Sequence, residues 1–185
     1  MGGRGSSNPG GGSRKLRMAL KSIEDRIRGN PTESAIALDD DGNVLFDTSD
    51  GKGQEVNISV QQQRLAYGKT MTHNHPHGYY LSDADVNIAT MLSLKQLRAT
   101  TPDGRAFVLE KTQSGQADGS FLRAYQQAIR STASQAANNA YDPALSMQEF
   151  NHRASLEHTK IVNQWLKDHA PEYGYRFREE GRKRK

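Results

Sequence analysis

At 185 residues the chain has room for one domain with a real core and short tails. With no cysteine, it can hold neither a disulfide, a thiolate metal site nor a cysteine nucleophile. The net charge of +4 is modest and much of it sits in Arg182, Lys183, Arg184 and Lys185, so it reads as a solvated basic end, and nucleic acid is not an expected partner.

Apolar residues make up 34% and the mean hydropathy is -0.84, values pulled down by the polar ends. Residues 1–13 (MGGRGSSNPGGGS) contain six glycines and nothing to pack, and are expected to form a disordered arm. This start has no apolar region of signal-peptide type and no stretch approaches a membrane span, so a soluble, cytoplasmic protein with no membrane partner is expected. Residues 14–28 then set Leu16, Leu20, Ile23 and Ile27 at steps of four, three and four. That spacing predicts an amphipathic helix, stopped by Gly29, Asn30 and Pro31.

Residues 33–38 (ESAIAL) and 43–47 (NVLFD) read as two strands around an acidic turn, Asp39, Asp40, Asp41 and Gly42. The turn lacks the alternating oxygens and terminal glutamate of a calcium loop and is read as a hairpin. In residues 51–60 (GKGQEVNISV) Val56, Ile58 and Val60 alternate, which sends Glu55 to the opposite, solvent side. A polar, helical connection over 61–68 follows.

Residues 72–85, THNHPHGYYLSDAD, carry half of the six histidines. A strand enters this stretch, and at its end His73 and His75 face the same way, because i and i+2 share a side. Pro76 keeps the pair extended. Ser82 is a natural N-cap for a helix whose Val86, Ala89 and Leu92 fall near helical spacing, with Asp85 in its first turn. Taken alone, Ser-x-x-Asp is an ordinary capping box and His-x-His an exposed turn. Together they offer two imidazoles and a carboxylate, which leave one position of a tetrahedral zinc open, as catalytic zinc sites do. Such a site needs a general base, and Glu33 is preferred to Glu55. His77 is read as a loop residue.

Beyond the motif helix, residues 97–100 and 106–110 flank Pro102, Asp103 and Gly104 as a hairpin. Residues 118–139 predict a long helix through Phe121, Leu122, Tyr125, Ile129 and Ala133, and Pro143 restarts a second with Leu156, Val162, Trp165 and Leu166. His152, His158 and His169 are given surface or packing roles, and residues 173–177 (YGYRF) a last edge strand. The organisation expected is a core over 14–117, a helical extension over 118–177 and a basic tail over 178–185.

His73, Asn74, His75, Pro76, Ser82 and Asp85 resemble the signature of the JAMM (JAB/MPN) zinc metallopeptidases: a distant Glu, His-x-His-Pro, then Ser-x-x-Asp. The His-Asn-His-Pro form is similar to that of bacterial and phage members. Six residues separate His75 from Ser82, where most members have seven. The resemblance, over residues 31–112, implies an α/β (α+β) fold with a mixed sheet flanked by helices. It also implies Zn2+ on His73, His75 and Asp85, Glu33 as general base and Ser82 as a donor to the tetrahedral intermediate. The implied activity is hydrolysis of peptide or isopeptide bonds in a protein substrate, in a protein of phage or mobile-element origin. A catalytically inactive scaffold with an assembly partner is the alternative. The letters HNH do not suggest the nuclease of that name, which spreads those residues along a ββα element.

Overall fold

The computed structural model describes residues 13–48, 58–112 and 119–181. Six strands, β1 (Ala35–Leu38), β2 (Val44–Asp47), β3 (Thr70–Asn74), β4 (Gln96–Thr100), β5 (Arg105–Lys111) and β6 (Tyr175–Gly181), form one sheet in the order β2-β1-β3-β4-β5-β6. Among the described residues there are five α-helices: α1 (Arg14–Ile27), α2 (Val60–Ala66), α3 (Asp83–Met91), α4 (Ser120–Ala140) and α5 (Met147–His169). β3 and β4 are parallel and every other pair is antiparallel. The fold is therefore α+β with a mixed sheet, as expected from the sequence.

The strand registers share one parity, which divides the molecule. Ile36 opposes Thr72, Thr72 opposes Arg98, Arg98 opposes Val108 and Val108 opposes Arg178. In β1, β3, β4, β5 and β6 the odd-numbered residues therefore share one face. There Ala35, Ala37, Met71, Leu97, Ala99, Phe107, Leu109, Tyr175 and Phe177 pack against Leu81, Val86, Phe121, Tyr125, Val162 and Leu166. Most of the hydrophobic stabilisation lies in this core. On the even-numbered face α1 lays Leu16, Leu20, Ile23 and Ile27 over Ile36 and Leu38.

Beyond that patch, apart from Ala106 and Val108, the even face is polar. Arg98 is buried and pairs with Glu24 of α1 through Nε (2.6 Å) and with Glu180 of β6 through Nη2 (2.7 Å). A groove of about 700 Å3 runs alongside, lined by Glu24, Arg98, Arg176, Arg178 and Glu180 among others. Ion pairs hold these side chains, Arg176 and Arg178 on Glu110, and Arg178 also on Glu180.

Several boundaries differ from the sequence reading. Ser13 belongs to α1, not to the arm, since its side chain caps the Leu16 N–H (3.1 Å). Val60 begins α2 and does not extend an alternating strand. Ser59 and Gln62 close a capping box there, and that signal overrides the local alternation. Glu55 lies outside the described residues. β6 runs on through Arg178, Glu179, Glu180 and Gly181, residues that charge had assigned to a tail. Seven paired positions against β5, and ion pairs from Arg178 and Glu180, hold those charges in the sheet. Residues 1–12 and 182–185 lie outside the description. No described helix is long and apolar enough to cross a membrane.

Candidate metal centre

The site forms where β3 ends and α3 begins. β3 and β4 are parallel, so the chain must cross over between them, and α3 is that crossover. The crossover brings the positive end of α3 beside the last residues of β3. His73 lies in β3. His75 follows it, with its N–H on the Thr100 carbonyl (2.8 Å). Pro76, with no N–H, ends the run.

Parity sends both imidazoles to the odd face, where their Nε2 atoms meet at 2.8 Å. Asp85 closes the group from α3, with Oδ1 2.9 Å from His73 Nε2 and Oδ2 3.2 Å from His75 Nε2. One ligand atom from each of the three residues can be chosen so that all lie within 4.8 Å of one another, close enough to hold a metal ion.

Asp85 is also the N3 residue of a capping box. Its Oδ2 accepts from the Ser82 N–H (2.6 Å) and the Ser82 hydroxyl (2.8 Å), while Ser82 Oγ accepts from the Asp85 N–H (3.1 Å). The two readings of Ser-x-x-Asp are therefore compatible: the cap fixes the carboxylate, and the fixed carboxylate faces the histidines.

The donor set suits a cation. His75 Nδ1 donates to the Tyr79 carbonyl (3.0 Å), which leaves Nε2 as the inward nitrogen, the usual outer-shell arrangement of a metal-bound histidine. His73 Nδ1 is buried with no hydrogen-bond partner. The two Nε2 atoms and the Asp85 oxygens thus converge on one point, where a single cation could be held. Two nitrogens and one carboxylate form a donor set that can hold a divalent metal ion.

Electrostatics agree with this. Burial opposes ionising Asp85, but His73 and His75 outweigh it and hold the carboxyl well below its usual range. Burial likewise opposes protonating His75, yet Asp85, the Tyr79 carbonyl and the more distant charge of Glu33 raise its pKa. A raised histidine pKa adds stability that is fully present below the unfolded value and is lost as pH rises through the folded one. In a chelator, the melting temperature should therefore fall as pH rises from the ordinary histidine value through the raised value of His75. With excess zinc it should rise over the same interval, because metal binding releases the histidine proton. A melting temperature that is flat with pH in the chelator would contradict the Asp85–His75 pairing.

Glu33 and Ser82 line the same cleft as the three ligands, a space of about 620 Å3 walled also by Ala35, Ile58, Met71, Ile88, His77 and Tyr79. Antiparallel pairing explains how Glu33 arrives there from 40 positions upstream. Ala35 opposes His73, and continuing that register takes Glu33 to His75. Glu33 stands two residues before β1 and not at its start, because the Ser34 N–H bonds a side chain, Asn74 Oδ1, in place of the backbone ladder.

The helical extension also reaches the site. The Tyr125 hydroxyl, kept protonated mainly by burial, donates to the carbonyl of Leu81, the residue before the Ser82 cap. Gln126 donates to Asp83 (3.0 Å), and the Tyr80 ring stands edge-on to His158 at 5.0 Å. His158 is thus a packing residue, also bonded to the Ile129 carbonyl (3.0 Å), and His169 packs on Trp165. Helical spacing gives Tyr125 only as an apolar position of its helix. A tyrosine among alanines and isoleucine was the available signal, since a buried hydroxyl needs a partner. Compared with known proteins, the chain matches no family model, no curated protein and no solved structure.

Proposed function

We propose that this chain is a zinc-dependent hydrolase of peptide or isopeptide bonds of the JAMM type, acting on a protein substrate. One observation carries the proposal: His73, His75 and Asp85 converge in a cleft that Glu33 and Ser82 also line. In this reading His73 Nε2, His75 Nε2 and the Asp85 carboxylate hold the ion, with Tyr79 orienting His75 and Ser82 orienting Asp85. Zinc supplies Lewis acidity there, polarising a carbonyl and making water a nucleophile near neutral pH. The Glu33 carboxylate takes the proton from the attacking water and delivers it to the leaving amine. Ser82 turns its hydroxyl toward the developing oxyanion. The His-Asn-His-Pro form extends the proposal to a phage or mobile-element protein at work in the host cytoplasm.

A second reading, a catalytically inactive scaffold of the same type, is favoured by one detail. The Ser82 hydroxyl is engaged with Asp85 as donor and with the Asp85 N–H as acceptor, so the cap uses both of its functions. Incubating the zinc-loaded parent and Glu33→Gln with a peptide library and isopeptide-linked protein pairs, read by mass spectrometry, separates the two. The hydrolase reading expects cleavage by the parent and a loss of about 10²-fold or more in Glu33→Gln. No cleavage by a zinc-loaded parent would leave the scaffold, and equal cleavage by both would remove Glu33 as the base.

A further inference from the structure

We infer that Asn74 is a positioning residue for Glu33, an inference that rests on the hydrolase reading. Asn74 stands between the two histidines but on the opposite face of the sheet, so it cannot join them on an ion. Its side chain is fully buried. All three of its hydrogen bonds go to the backbone of one short irregular segment: Oδ1 accepts from the Ser34 N–H (2.8 Å), and Nδ2 donates to the carbonyls of Thr32 (3.0 Å) and Asn30 (3.2 Å). One N–H donor and two carbonyl acceptors fix which way the amide faces.

Thr32 and Ser34 are the immediate neighbours of Glu33. The peptide groups on both sides of the Glu33 α-carbon are therefore held by one side chain. The paired register between β1 and β3 reaches only Ala35 and His73, and Asn74 continues that pairing by side chain over the next residues. Residues 30–34 form no helix or strand and contain Pro31, so their polar groups need partners from elsewhere. The geometry ties the base to the ligands: a movement of His73 and His75 carries Asn74, and Asn74 carries Glu33.

The side-chain chemistry is specific. Aspartate has the same shape but only accepts, and would aim its charge at two carbonyls. Alanine leaves all three backbone groups without this partner. Neither change touches a proposed ligand.

The test uses the cobalt(II) form of the full chain, whose visible bands report the metal environment. Parent, Glu33→Gln, Asn74→Ala, Asn74→Asp and the double variant Glu33→Gln/Asn74→Ala are compared for cobalt content, for the pH midpoint of the bands and for exchange of the Ser34 amide by NMR. We expect about one cobalt per chain throughout. Removing the Glu33 charge should move the midpoint to lower pH by on the order of half a unit, and Asn74→Ala should move it the same way. The double variant should move no further than Glu33→Gln, since both changes act through one group. Ser34 exchange should rise about tenfold or more in Asn74→Ala and stay protected in Asn74→Asp, which keeps the acceptor.

A parent midpoint in Asn74→Ala beside a shifted Glu33→Gln would overturn the inference and leave the hydrolase reading standing. A parent midpoint in Glu33→Gln itself would remove both. If Asn74→Ala fails to fold, the uncharged and shorter Asn74→Ser carries the same comparison, and a midpoint equal to the parent's overturns the inference.

Discussion

Asp85→Asn is expected to leave the fold standing and to abolish tight metal binding. Asp85 caps α3 through the Ser82 N–H and hydroxyl, and its two oxygens face His73 and His75 at 2.9 and 3.2 Å. Asparagine keeps an oxygen for the cap, and the Ser82 side chain still caps the backbone from its side. The cap therefore weakens by about 1 kcal/mol at most. The anionic ligand, however, is lost. Losing an outer-shell partner of a metal site costs about 10–100-fold in affinity, and losing a ligand should cost more. Competition against a chromophoric chelator gives the affinity and a melt in EDTA gives the stability. Parent-like zinc affinity in Asp85→Asn would mean that Asp85 only caps its helix.

The largest loss of stability is expected at Arg98, far from the cleft. Its guanidinium is buried between Glu24, also buried, and Glu180, about 41% exposed. Burial opposes the charge, but hydrogen bonds and attraction from Glu24 and Glu180 outweigh it and raise the Arg98 pKa. Arg98→Ala removes the buried cation that pairs with the Glu24 carboxylate and leaves it the Thr72 hydroxyl (3.2 Å), and should cost about 3–5 kcal/mol in urea unfolding. Glu24→Leu with Arg98→Met removes both buried charges, and should restore most of that loss. A loss below about 1 kcal/mol in Arg98→Ala would show that water from the adjoining groove solvates the orphaned carboxylate.

This pair also marks where the sequence stopped being readable. Leu16, Leu20, Ile23 and Ile27 announce α1 through their spacing, and Glu24 falls four positions after Leu20, on the same buried side. A charge inside an apolar stripe signals a buried partner but does not name it, and Arg98 is 74 positions away. The capping boxes at Ser82 and at Ser146 are local and leave a legible mark, as does the one at Ser59 that the alternation of Ile58 and Val60 obscured. His73, His75 and Asp85 were legible because strand parity and a helix cap are short-range rules, whereas the parallel crossover that brings the cap beside the strand end is not. The Glu33 placement needed a register between two strands, which spacing alone does not supply. Asn74 shows the same limit: its neighbours in sequence are the histidines, and its partners are residues 30–34.

The most direct test of the metal centre is the metal content of the chain purified without chelator or affinity nickel, measured by mass spectrometry beside His75→Ala and Glu33→Gln. About one zinc per chain in the parent and in Glu33→Gln, with loss in His75→Ala, is the predicted result. A parent that holds no metal even after zinc is added back would contradict it, and the three side chains would then be a buried ion pair with a helix cap.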